Sequence, residues 1–402
     1  MTHRLPRGAL LAAAVLALAT ACGSKSSPPA TTAAAPAHWT ITGLGTLGPT
    51  YTTSIASAIN EHGEVVGGSG TANGTQHAFL WRDGKMTDLG TLGGRDSGAA
   101  AINESGQVIG GSLTARPARS HGFIWQDGKM TDLGTLGGRS SRPRAINDRG
   151  QVVGESATAS GEIHPFLWQD GKMTDLGTLG GSLGYALAIN AKGQVVGQSK
   201  TASGRIHGFL WQDGKMTDLG TLGPAHTDSS AVAINDRGQV VGTSFTAVVT
   251  QTGQQGHAFL WQNGKMSDLG TLGPAYPAGD AVAINASGEV VGSSLATSGK
   301  RHPVVWRNGK IADLGSLGGS FGTAVAINDR GQVIGVSIPA SGASVHAFVW
   351  QGGKLTDLGT LGGAESDPSA INEHDQIVGL GTTAAGKGRA VMWTLRPIRS
   401  NG

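Results

Sequence analysis

A serine, a histidine and an aspartate recur together seven times along this chain, always in that order. The sets are Ser69, His77 and Asp88; Ser112, His121 and Asp132; Ser156, His164 and Asp175; Ser199, His207 and Asp218; Ser244, His257 and Asp268; Ser294, His302 and Asp313; and Ser337, His346 and Asp357. Serine, histidine and aspartate are the groups of nucleophilic acyl transfer, in which the imidazole takes the serine proton and the carboxylate orients the ring. Seven copies argue against that chemistry, because an active site is singular and residues present in every unit are first explained by what each unit needs. An eighth segment aligns with Gly381 for serine, Arg389 for histidine and Gly43 for aspartate, so all three members vanish together. Joint loss is what a buried hydrogen-bonded set predicts, since such groups are satisfied as a set or not at all. Ser156, His164 and Asp175, with the nearby Trp168 and the equivalents in six other units, are therefore expected to form a structural network. No metal site is expected: packed sheets lie ~10 Å apart, whereas zinc needs each nitrogen ~2.0 to 2.1 Å away. Neither a calcium loop nor a phosphate-binding glycine loop is present, and no cofactor is expected.

The elements that must position these groups are set by a repeat. The triplet Ala-Ile-Asn begins at Ala58, Ala101, Ala145, Ala188, Ala233, Ala283, Ala326 and Ala370, in steps of 43, 44, 43, 45, 50, 43 and 44 residues. Residues 145 to 180 illustrate one unit. A short strand over Ala145-Ile146-Asn147 leads into the turn Asp148-Arg149-Gly150, and Gln151 to Ser156 returns as a second strand. His164 to Trp168 is a third, Asp170-Gly171 is a hairpin turn signal, and Lys172 to Gly177 is a fourth. Four antiparallel strands per unit, with no helical periodicity, match the blade of a β-propeller. Small residues such as Ala231 and Ala233 suit the crowded strand near an axis, while Phe and Trp fill the widening wedge; the tryptophans are expected to pack between blades.

The chain ends predict closure. Residues 39 to 48 align with a fourth strand that no other strand of their unit precedes, and Trp393 lies in a third strand that none follows. The expected fold is an all-β propeller of eight four-stranded blades of about 43 residues, its ring closed by the N-terminal strand completing the last blade. An open solenoid would leave both end strands unpaired.

The histidine sets carry a resemblance. His77-Ala78-Phe79, His257-Ala258-Phe259 and His346-Ala347-Phe348 resemble the motif of the HAF extracellular repeat family, with His-Gly-Phe at His121 and His207, His-Pro-Phe at His164 and His-Pro-Val at His302. The resemblance spans about nine tenths of the chain and implies an exported bacterial protein; it brings no agreed activity.

Residues 1 to 21 carry Arg4 and Arg7, an apolar run from Ala9 to Leu18, and small residues before Cys22, the only cysteine. This pattern reads as a signal peptide, and Leu18 to Ala21 resemble the lipobox of bacterial lipoproteins. Cys22 is thus the expected lipid anchor at the outer face of the cell membrane. Residues 22 to 37 read as a flexible tether, leaving 38 to 402 for the propeller. The 30 basic residues less Arg4 and Arg7 leave 28 against 27 acidic ones, a balance that gives no electrostatic case for nucleic acid. A monomer is expected.

Function should lie where the units differ. The Asn-x-x-Gly and Asp/Asn-Gly-Lys turns share one face and hardly vary. The remaining loops share the other, including an insertion around Val248 to Gln255 and longer connections through Pro224 and Pro274 to Pro277. Variation gathered on one face of a repeat array marks the binding face. Its candidate residues are Arg95, Asp96, Arg142, Tyr185, His226, Tyr276 and Phe321, a mixture suited to protein or glycan. The leading expectation is a non-catalytic, lipid-tethered binding or scaffolding protein. The alternative is a lectin-like glycan binder or a carbohydrate-active enzyme, the enzyme requiring carboxylates such as Asp96, Asp228, Asp280, Glu365 or Asp367 to converge within ~5 to 10 Å.

Overall fold

The computed structural model describes residues 37–49, 53–115, 119–250, 253–273, 278–342 and 344–397. The leader, most of the tether, Cys22 and Tyr276 lie outside the described residues. Within them the chain is entirely strand and turn, arranged as eight four-stranded antiparallel sheets. Blade 3 has the strands Gly137–Ile146, Val152–Thr158, Ile163–Gln169 and Lys172–Asp175, paired in that order.

The turn residues dictate these hairpins. Asp170 and Gly171 both adopt positive φ, 50° and 81°, the combination of a type I′ turn, whose twist matches the flanking strands. Gly150 sits at φ 72° in the other hairpin, where a Cβ would be strained.

The first strand differs from expectation. It runs ten residues from Gly137 and stops at Ile146, so Asn147 lies beyond it. The Gly137-Gly138 segment allows this extension: a Cβ on Gly138 would stand 2.5 Å from Ala157, so only glycine permits so close a backbone approach.

The ring closes through the chain ends. Ala37–Gly45 pairs antiparallel with Gly388–Pro397 and completes blade 8, whose other strands are Gly362–Ile371 and Gln376–Thr383. Blade 8 then packs on blade 1, with Val378, Ala390 and Met392 sharing a buried cluster with Ala56, Val65 and Phe79.

The asparagines lock this arrangement. Each Ala-Ile-Asn residue donates one Nδ2 hydrogen to the backbone carbonyl of the equivalent asparagine in the next blade, from Asn60 to Asn103 through to Asn372, which returns to Asn60. All eight bonds span 3.0 to 3.2 Å. Asn147 also donates to Gln151 Oε1 and accepts the Arg149 and Gln151 amides on its Oδ1. A side chain 4% exposed is thereby satisfied, as buried amides require.

The core is a series of wedges between blades. Phe79, Phe123, Phe166, Phe209, Phe259 and Phe348 are 0% exposed, and the first five share buried clusters with the preceding blade. The tryptophans two residues on are mostly half-buried and contact the same clusters from the edge, so phenylalanine rather than tryptophan is the principal wedge. Where valine replaces it, at Val304 and Val391, Trp306 and Trp393 sink to 2% and 0% exposure, because a close-packed interior refills the volume given up.

Candidate binding face

The repeated serine, histidine and aspartate divide into two separate devices. In all seven sets histidine Nδ1 lies 2.7 to 2.9 Å from an aspartate oxygen on the fourth strand. The same aspartate accepts the amide of a glycine two residues on, as Asp175 does from Gly177 at 2.8 Å. The serine is not part of this pair. Ser156 Oγ accepts the Leu136 amide at 2.9 Å and faces the Ser140 and Ala157 carbonyls, pinning the segment that enters its own blade. The six other serines accept the equivalent leucine amide at 2.9 to 3.1 Å. The expected network of Ser156, His164, Asp175 and Trp168 thus joins His164 to Asp175 only. Ser156 lies directly opposite His164 in the ladder, but its oxygen is engaged with the Leu136 amide and the Ser140 and Ala157 carbonyls and makes no hydrogen bond to the imidazole, so the nucleophile–base contact of a triad is missing. At Asp268 the hydrogen bond from His257 and the Gly270 amide outweigh burial and hold the carboxyl below its ordinary range.

A second serine, unnoticed in the sequence, staples blade to blade. Ser54, Ser97, Ser141, Ser229 and Ser366, on first strands, each accept the amide of the residue after the histidine, or after Arg389, in the preceding blade at 2.9 Å. At two junctions that residue is proline, Pro165 and Pro303, which has no amide to donate. There the facing residue is glycine, Gly184 and Gly322, whose Cβ would stand 2.8 Å from the proline Cδ. At these same junctions the sheets join by one parallel pairing, Ile163 with Leu183 and Arg301 with Phe321. The remaining junction, Ala258 against Gly279, has neither the serine nor the proline.

The unit-specific residues fall mainly on first strands rather than in loops, because those strands begin several residues earlier than expected; the first strands touch one another in sequence around the ring and so form its innermost layer, the wall of a propeller's central channel. Arg95 donates to the Gly74 carbonyl and Asp96 accepts the Gln76 amide, so both serve the contact of blades 1 and 2. His226 faces the Ser244 carbonyl and stacks edge-on against His257 at 5.3 Å. Phe321 is half-buried at the parallel pairing. Arg142 and Tyr185 hold equivalent positions on the first strands of blades 3 and 4, each five residues before its ring asparagine. Arg142 is exposed and Tyr185 half-buried. Although the Arg142 side chain reaches solvent, partial burial and the nearby Arg144 lower its pKa against the opposing pull of Glu155, and burial and Glu155 raise that of Tyr185.

The five carboxylates named above belong to blades 2, 5, 6 and 8. Asp228 accepts the Ile206 amide and the Thr227 hydroxyl; these prevail over burial and lower its pKa. Asp280 is paired with Arg301 at 2.7 Å. Only Glu365 and Asp367 share a strand, where burial and Glu365 raise the Asp367 pKa. Among the described residues no three His, Cys, Asp or Glu side chains gather to hold a metal ion, and no helix is long and apolar enough to cross a membrane.

Comparison with known proteins yields folds only. The chain is similar to dipeptidyl peptidase 4 of Porphyromonas gingivalis, at 10% identity over 87% of this chain and 58% of that one, with a TM-score of 0.57. It thus spans less than two thirds of that peptidase. The β-propeller domain of the Trilobed protease from Pyrococcus furiosus, of open velcro topology, matches at 11% identity over 75% of this chain and 95% of that one, with a TM-score of 0.48. TolB of Acinetobacter baumannii matches at 13% identity over 72% of this chain and 82% of that one, with a TM-score of 0.37. No family model matches the chain, and no curated protein does. At such identities the likeness to the peptidase is one of architecture.

Proposed function

We propose that this protein is a non-catalytic binding or scaffolding propeller of the HAF repeat class, exported, monomeric, and tethered to the outer face of the bacterial cell membrane by lipid on Cys22. It takes a protein or glycan at the loop face and channel mouth. One observation carries this reading: the repeated polar side chains are consumed in bonds within and between blades, while the side chains that break the repeat gather on first strands near that mouth. A catalytic alternative draws support only from Glu365 and Asp367, and we propose no reaction there.

The test places a photo-crosslinking residue at Tyr185, at the channel, or at Lys172, on the opposite face, in protein displayed on intact cells. Capture of a defined partner from Tyr185 alone is expected. Equal capture from both positions, or none, would overturn the proposal. Cys22→Ala is expected to release the protein into the medium; retention on the membrane would refute the anchor.

A further inference from the structure

We infer that Arg142 and Tyr185 form a subsite in the channel wall for a carboxylate, the acidic end of a small or extended ligand entering from the loop face. The inference deepens the binding function proposed above and rests on it for the face at which the ligand arrives.

Its basis is a guanidinium with no hydrogen bond or close ion pair of its own among the described residues. Arg142 pairs across the ladder with Glu155, yet Glu155 is held by Arg144, whose Nε and an Nη reach its two oxygens at 2.9 and 2.8 Å. That fork satisfies the carboxylate and leaves Arg142 with no hydrogen bond or ion pair among the described residues. At the equivalent position the other blades carry Ile55, Gly98, Ser230, Asp280, Thr323 and Asp367, so Arg142 is the only cation on that ring. A guanidinium whose five donors are all uncommitted, and whose nearest carboxylate is already held by Arg144, gains from a further carboxylate, whose planar pair of oxygens matches its parallel donors.

Tyr185 supplies the second donor. It stands on the neighbouring first strand at the height of Arg142, a register fixed by Asn147 donating to the Asn190 carbonyl at 3.0 Å. Its raised pKa keeps the phenol protonated, able to donate to the same anion. The serine equivalent on that strand is Gly184, and the adjoining parallel pairing draws these two blades together.

The experiment uses the folded full-length protein with succinate as probe and succinamide as its uncharged isostere. Phenylglyoxal modification of each arginine is followed by peptide mass mapping, and binding by thermal shift. Succinate is expected to protect Arg142 and raise the melting temperature; Arg139, exposed on the same strand, should stay unprotected, and succinamide should do neither. Arg142→Gln should abolish the succinate response and Arg139→Gln preserve it. Tyr185→Phe, which keeps the ring, should weaken binding about tenfold, the loss of one hydrogen bond to a charged group. Equal effects of succinate and succinamide, no protection by succinate, or an unchanged response in Arg142→Gln would overturn the inference. Crosslinked capture through the loop face without succinate binding would remove this subsite and leave the binding function standing; the reverse result would do the opposite.

Discussion

The proline–glycine junctions make a quantitative claim about how blades adhere, and blades 3 and 4 test it. Gly184→Ser places a Cβ 2.8 Å from Pro165 Cδ and 3.4 Å from Ser199 Oγ, and the proline is buried. Overpacking of that kind costs about 1 to 3 kcal/mol. Pro165→Ala alone creates an amide facing Gly184, which offers no acceptor; a buried unsatisfied donor costs about 1 to 3 kcal/mol. The two changes together recreate the pair seen between Ser141 and the Gly122 amide, bonded at 2.9 Å. The double variant should therefore be more stable than the sum of the singles implies, by about 2 to 4 kcal/mol, against the ~0.3 to 0.5 kcal/mol within which independent sites add. Urea titrations of the four proteins would measure it through their midpoints, provided the slopes agree. Additive losses would refute the staple as the reason for the pairing of serine with amide and glycine with proline.

Three other outcomes follow from the same geometry. His164→Ala should cost only about 1 kcal/mol, because Asp175 is 42% exposed on its side chain and water replaces the imidazole at such surface pairs; a loss above 3 kcal/mol in urea titration would assign the pair a core role. Phe209→Ala should cost about 3 to 5 kcal/mol and exceed the cost of Trp211→Ala, since Phe209 is 0% exposed and Trp211 only half-buried; the reverse order would restore tryptophan as the principal wedge. Glu104, which accepts the Glu61 amide beside Glu61 and Asp148, has its pKa raised chiefly by burial, so the fold disfavours its ionised form and its own contribution to stability is lost as pH rises through the folded pKa. Glu104→Gln should accordingly melt above wild type at neutral pH, the gap closing as pH falls through the ordinary carboxylate range, and a gap that widens on acidification would contradict the sign.

Blade number, strand order and the closing role of the N-terminal strand were legible because they follow from period, turn residues and alignment of the two ends. The asparagine ring was not. Asn147 reads locally as the first residue of a glycine turn, and its second function lies in a neighbour 43 residues away. Its signal was nonetheless present, since the asparagine is the same in all eight units while the next residue varies between acid and alanine. The proline–glycine coupling was also written in the sequence, His-Pro-Phe and His-Pro-Val each being followed in the next unit by glycine where other units have mostly serine. Tryptophan burial could not be read, because it depends on the size of the residue two places before it and on radial position. The placement of Arg142 and Tyr185 on the channel wall was missed for a related reason: the glycine pair that begins the first strand resembles loop sequence until the close approach at Gly138 explains it.

The eighth blade shows why loss of its histidine and aspartate is tolerated. In blades 1 to 7 a tight turn joins third and fourth strands, yet in blade 3, for example, the ladder between them has only four pairs, from Phe166 with Asp175 to Gln169 with Lys172. So short a fourth strand gains from a clasp at its far end, and the His164–Asp175 pair sits there, with Gly177 bound to the same carboxylate. Blade 8 has no turn at this place, since its fourth strand arrives from the other end of the chain. Its ladder instead has eight pairs, from Ala37 with Pro397 to Gly45 with Ala390. The longer ladder spreads over backbone bonds what the shorter ones concentrate in a side-chain clasp, and it must also offset the larger entropy of joining distant segments. Gly43 and Arg389 then carry no shared duty, and the segment after that strand is retained on blade 1 by Leu47 donating to Ser69. The clasp belongs to strands that a turn delivers and a short ladder holds less firmly, which accounts for seven copies in eight blades without assigning any of them chemistry.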